Sequence, residues 1–220
     1  STAAELNTLD AVPRGSIIYG NSSAATARLS KGAAGTVLTA GADDISWVAA
    51  SGGGAMEFIA SSGAISNAAT VSFTQFDSSK YDHYQFWTQN VIPATDNVHL
   101  LGHASTDGGS SYDTTNGNYH APLTTDRTGF SVSLNNGYNL GSDTNEFGVC
   151  TVFTLFNPHV AAYTFSNTDG VQIGTGGGVR TIDADSVIYL STTPVNAIQF
   201  KMNSGNIESG EITMFGIKNS

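Results

Sequence analysis

The run Phe147-Gly148-Val149-Cys150-Thr151-Val152-Phe153-Thr154-Leu155-Phe156 constrains this chain more than any other segment. It is dense in β-branched and aromatic residues, which fit a pleated surface better than a helix. Strand alternation sends Phe147, Val149, Phe153 and Leu155 to one face, and Cys150, Val152 and Phe156 to the other. A strand apolar on both faces needs cover on both. Parallel sheets obtain it from flanking helices, but this chain is turn-rich and has no helix pattern to spare. The second cover therefore has to come from outside the sandwich, and a neighbouring subunit is a good candidate. The closing segment Glu211–Lys218 poses the same demand, with Ile212 and Met214 on one face and Phe215 and Ile217 on the other.

Composition agrees with an all-β reading. The 220 residues include 40% hydrophobic but only 12% charged side chains, with 25 Gly, 11 Phe and 8 Tyr. Ordinary globular chains carry about 25% charged residues. The net charge is −10 with no basic cluster, so the chain lacks the clustered Lys and Arg that a phosphate backbone requires. No nucleic-acid partner is expected, nor membrane insertion, because no apolar run approaches the ~20 residues of a spanning helix. Cys150 is the one cysteine, so no intrachain disulfide can form. It reads as a buried structural thiol, and its solitude suits assembly in a reducing cytoplasm. A start at Ser1, without Met or a signal-peptide pattern, suggests a processed chain or the tail of a longer one.

Three zones follow one another. Residues 1–12 hold the one helix candidate, with Thr2 and Glu5 at capping-box spacing, Leu6, Leu9 and Val12 as a thin stripe, and Pro13 as a stop. So short a helix is marginal alone, and two readings stay open: the end of a trimeric coiled coil, or a helix packed on its own domain. Residues 13–55 contain very short strand-like pieces around Ile17, Tyr19, Leu29, Leu38 and Trp47, too few apolar residues for a core, and end in the linker-like Ser51-Gly-Gly-Gly-Ala55. A unit this small needs metal, disulfides or oligomerisation, and only the last remains. Residues 56–220 carry nine strand candidates, at 69–76, 84–92, 97–105, 128–135, 147–156, 159–166, 186–191, 196–203 and 211–218. Asp107-Gly108, Asn116-Gly117, Asn136-Gly137 and Asp169-Gly170 have the chemistry of tight hairpin turns. This predicts an antiparallel, jelly-roll-like β-sandwich.

Residues in all three zones resemble one family. Ala4-Glu5-Leu6-Asn7-Thr8-Leu9-Asp10, then Gly15-Ser-Ile-Ile-Tyr-Gly-Asn21, Arg28-Leu29, Gly35-Thr-Val-Leu38 and Trp47, resemble a module of tailed-bacteriophage tail fibres. The closing Ser204-Gly-Asn-Ile-Glu-Ser-Gly-Glu-Ile-Thr-Met-Phe-Gly-Ile-Lys218 resembles the last hairpin of phage fibre-tip sandwiches, and such tips commonly also carry a segment like Ser105-Thr-Asp-Gly-Gly-Ser-Ser-Tyr-Asp113, which is less specific. These matches touch about a third of the positions. The resemblance implies a homotrimer with a helical coiled-coil end, a small intertwined β neck and a receptor-binding tip. It also implies location on the virion and attachment to other tail proteins through a part absent from this chain. Leu6, Leu9, Ile17, Tyr19, Leu38 and Trp47 are then the expected trimerisation residues.

No motif for nucleophilic, nucleotide or zinc chemistry occurs, and the Gly174–Gly178 run reads as a mobile connection between strands. His99 and His103 are four apart, but in a strand that places them ~13 Å from each other, so one chain cannot chelate a metal with both. Asp107, Asp113, Asp126 and Glu146 offer carboxylates without a spacing that selects a catalytic pair, and Asp183 with Asp185 makes only a weak calcium pattern. Surface binding asks for an aromatic platform with polar groups on rigidly held loops. Asp107, Tyr112, Asp113, Asn116, Asn118, Tyr119 and His120 supply that chemistry in one stretch, and Tyr138 lies in a second. The expectation is a non-catalytic trimer, without cofactor or metal, that adsorbs to a bacterial surface glycan or outer-membrane component. The alternatives are a capsule-degrading spike and a purely structural fibre or decoration.

Overall fold

The computed structural model describes residues 2–9, 12–50, 55–121, 124–134, 139–143 and 146–218. The chain divides into two compact units, Ser1–Gly54 and Ala55–Ser220.

In the first unit the helix α1 runs Ala3–Leu9, where Leu6 N–H donates to the Thr2 carbonyl. Four short strands follow: β1 (Ile17–Gly20), β2 (Thr26–Leu29), β3 (Thr36–Ala40) and β4 (Ile45–Ala49). They form two separate antiparallel hairpins, β1 with β2 and β3 with β4. The Asn21 side chain closes the first turn by accepting the amides of Ser23 and Ala25. Trp47 Nε1–H donates to the Ser30 carbonyl at 2.7 Å, tying the second hairpin to the segment after β2. No described residue of this unit is buried.

The second unit is built from twelve strands: β5 (Met56–Ser61), β6 (Val71–Phe73), β7 (Tyr81–Pro93), β8 (Leu100–Ser105), β9 (Tyr119–Ala121), β10 (Thr124–Arg127), β11 (Phe130–Ser131), β12 (Val149–Phe156), β13 (Thr164–Ile173), β14 (Val179–Tyr189), β15 (Ala197–Met202) and β16 (Ile207–Lys218). They form an eight-stranded sheet ordered β10-β9-β14-β13-β12-β7-β16-β5 and a four-stranded sheet ordered β11-β8-β15-β6, antiparallel throughout. Inward residues of both sheets make one aromatic core. Phe86 lies 5.2 Å from Phe200 and 6.0 Å from Phe153, and Tyr119 reaches Phe130 at 5.1 Å. These five rings are almost wholly buried. The all-β, sandwich-like expectation holds at this level.

Several local expectations fail for physical reasons. Phe147 does not share a face with Val149. It is 57% exposed, because Gly148 takes φ +70° just before β12 and breaks the alternation. Asp169-Gly170 is no hairpin turn but lies inside β13, where the register with β14 shifts between Thr168 and Gly170. Gly170 has φ +154°, and a Cβ there would stand 2.3 Å from the Cys150 carbonyl oxygen, so this β-bulge accepts glycine alone. The real β13–β14 turn is the Gly174–Gly178 run, closed by Gly174 N–H to Gly178 O at 3.0 Å. The 159–166 candidate is out of phase, since Pro158–Tyr163 form a turn and the strand starts at Thr164.

Candidate functional site

The β8–β9 connection, residues 106–118, holds most of the expected binding residues, and its carboxylates organise the loop itself. Asp107 Oδ1 accepts Ser105 Oγ–H at 2.8 Å and Ser111 N–H at 2.9 Å, while Oδ2 accepts Ser111 Oγ–H at 2.6 Å. The Ser111 bonds lead in drawing its pKa down to about 2. Asp113 Oδ1 accepts Thr115 N–H, and its Oδ2 accepts Asn118 Nδ2–H at 2.7 Å and Tyr189 Oη–H at 2.9 Å. Burial pushes the Asp113 carboxyl upward, but these hydrogen bonds outweigh it and leave the pKa below the ordinary value. The Tyr119 hydroxyl accepts Ala104 N–H and donates to the Asp113 carbonyl, and its ring is fully buried.

Asp107, Asp113 and Tyr119 thus form the frame on which the rest of the loop hangs. Asn116 is exposed at the tip, and Tyr112 and Asn118 are half-buried. His120 belongs elsewhere: it alternates with Tyr119 along β9 and lies on the outward face of the eight-stranded sheet, opposite Ile188. Tyr138 lies outside the described residues. Of the other carboxylates considered for hydrolysis, Glu146 turns inward. Glu146 is 4% exposed, and it accepts the amides of Gly176 at 2.6 Å, Gly177 at 3.1 Å and Asp143 at 3.1 Å. The Asp126 side chain lies outside the described residues. Asp185 pairs with Arg127 at 3.4 Å. Among the described residues no three His, Cys, Asp or Glu side chains converge as a metal-binding group.

The expected trimerisation residues are mostly at the surface of the first unit. Leu6 and Leu38 are exposed, and Ile17, Tyr19 and Trp47 are half-buried. The Leu9 side chain lies outside the described residues.

A larger feature escaped the sequence reading, except at β12 and β16. The outward face of the eight-stranded sheet carries a row of opposed residues that crosses seven strands. Met56 opposes Ile217, which opposes His83, and His83 opposes Phe156. The row continues through Phe165 and Ile188 to His120. No carboxylate, lysine or arginine interrupts it. Beside it stands an aromatic trio, with Phe215 4.9 Å from Trp87 and 6.1 Å from Phe58. Phe58 and Phe165 are 60% and 51% exposed. Trp87, Gln89, Cys150, Val152 and Asp169 edge a shallow groove of about 220 Å³ on the same face. The signal in the sequence is that Trp87 in β7 and Phe165 and Val171 in β13 alternate out of phase with the inward residues of their strands.

Comparison with protein-family models, with curated proteins and with solved structures finds no match to this chain.

Proposed function

We propose that this chain is the C-terminal part of a tailed-bacteriophage tail fibre, a homotrimer whose β-sandwich tip adsorbs to a surface glycan of the host without catalysis. The reading rests on the sequence resemblance, and the first unit is the observation that carries it. A segment of two hairpins joined through the Trp47–Ser30 hydrogen bond, with no buried described residue, is marginal alone, because two-stranded hairpins without a core are marginal in water. Exposed Val37, Leu38 and Val48 find cover once sister chains wind around the same axis. The 106–118 loop suits contact with a receptor, since its frame is internally bonded and its polar tip is presented outward. Three weak sites on one fibre would bind by avidity.

The test is adsorption. Fluorescently labelled full chain is incubated with a panel of bacterial strains, with and without periodate oxidation of their surface sugars. Saturable binding to at least one strain, lost after periodate, is the expected result. Binding to none makes the chain a structural fibre or decoration. Release of reducing sugar from the bound polysaccharide makes it a spike enzyme.

A further inference from the structure

We propose that the outward face of the eight-stranded sheet is the surface that each tip turns toward its sister chains. The inference rests on the trimeric reading and locates the contact within the tip.

Area supports it first. A stable interface buries ~800 Å² per partner, of which ~60% is apolar, so a chain has to offer on the order of 500 Å² of apolar surface to each sister chain it meets. This face supplies one of the two contacts a chain makes in a trimer. An aromatic side chain presents ~200 Å². The open fractions of Met56, Phe58, Trp87, Phe156, Phe165 and Val171, with half-buried Ile188, Phe215 and Ile217 beside them, reach that order. A patch of this size stands at the upper end of what a monomer exposes, where such patches often serve function.

Shape and charge then select the occupant. Seven strands at ~4.8 Å spacing make the row from Met56 to His120 ~29 Å long. That is the width of a protein face. Copies carrying −10 each repel one another. The row from Met56 to His120 carries no carboxylate, lysine or arginine, so it is where they can approach most closely. Asp169 beside Trp87 on the same face marks the limit of the uncharged strip.

Cys150 is the one cysteine of the chain and faces outward from β12, half-buried, with Asn90 N–H donating to its Sγ at 3.2 Å. It therefore reports whether this face is covered. The experiment sediments the full chain and times alkylation of Cys150 by a maleimide, in the native sequence and in Phe156→Asp/Phe165→Asp. The native protein is expected to sediment above 22.8 kDa with Cys150 protected, and the double variant to alkylate faster on the order of tenfold. Should circular dichroism show the double variant unfolded, Phe58→Asp at the other end of the sheet is read in the same way. An assembled native protein whose Cys150 reacts as fast as in the folded variant overturns this assignment and leaves the trimer standing. A native monomer overturns both. Protection that arises only when bacterial polysaccharide is added overturns it in favour of a glycan site.

Discussion

The two units of this chain answer the same physical demand in opposite ways. Ala55–Ser220 closes its own core, with Phe86, Phe130, Phe153 and Phe200 fully buried. Ser1–Gly54 buries no described residue and leaves Leu38 43% exposed. The difference follows the aromatic residues: all 11 Phe lie after residue 55, and the first unit has only Tyr19 and Trp47 as aromatic residues to build a core from. The eight-stranded sheet combines both habits, with a finished inner face and an outer face across which an apolar row lies open.

The sharpest way to break this contrast is to truncate the core. Phe153→Ala should cost the tip ~3–5 kcal/mol, read as a lower denaturant midpoint, even in chains too dilute to assemble. A loss under ~1 kcal/mol there would mean that the tip too depends on its copies.

Acid comes next. His103 is 3% exposed, and burial leads in lowering its pKa from 6.5 to about 4, with the positive charge of Lys201 acting in the same direction and Asp113 opposing. The unfolded chain therefore takes up a proton near pH 6.5 while the folded chain keeps His103 neutral to about pH 4. Stability from this group is complete above pH 6.5 and falls by up to ~1.4 kcal/mol per pH unit between those values. Thermal melts at a series of pH values should show the slope, and His103→Gln should flatten it.

Glu146→Ala removes a buried carboxylate from three backbone amides and should cost ~1–3 kcal/mol. Faster hydrogen exchange at Gly176 and Gly177 would place the loss at the β13–β14 turn. The smallest effect sharpens the comparison most. Leu38→Ala should change the unfolding of isolated chains by under ~0.5 kcal/mol, yet lower the stability of the assembled protein by more. Equal effects in both states would remove the claim that the first unit is completed by other copies.

How much of this was legible in the sequence depended on whether a pattern had one physical cause. The two-sided apolar character of β12 and β16 has only one reading in a strand, and both segments are strands with one face inside and one outside. Asp169-Gly170 has two, since the same glycine conformation serves a hairpin turn or a bulge, and the sequence could not show that the pairing with β14 continues past it. The loop residues were harder still. Asp107 and Asp113 have the chemistry of ligands and of turn staples alike, and only the positions of Ser105, Ser111 and Tyr189 show that they are staples. β5 is not legible because Met56–Ser61 is short, and Glu57 interrupts its apolar residues and Ser61 ends them.

The stapling of the 106–118 loop bears on how such a chain can change over generations. Its shape is fixed by Asp107, Asp113 and Tyr119, whose partners lie within the loop, at the end of β8 and on β14. Asn116 at the tip makes no part of that frame. Side chains there can be exchanged one at a time with the scaffold intact, so a lineage can try new chemistry at its outermost point without first learning to fold again.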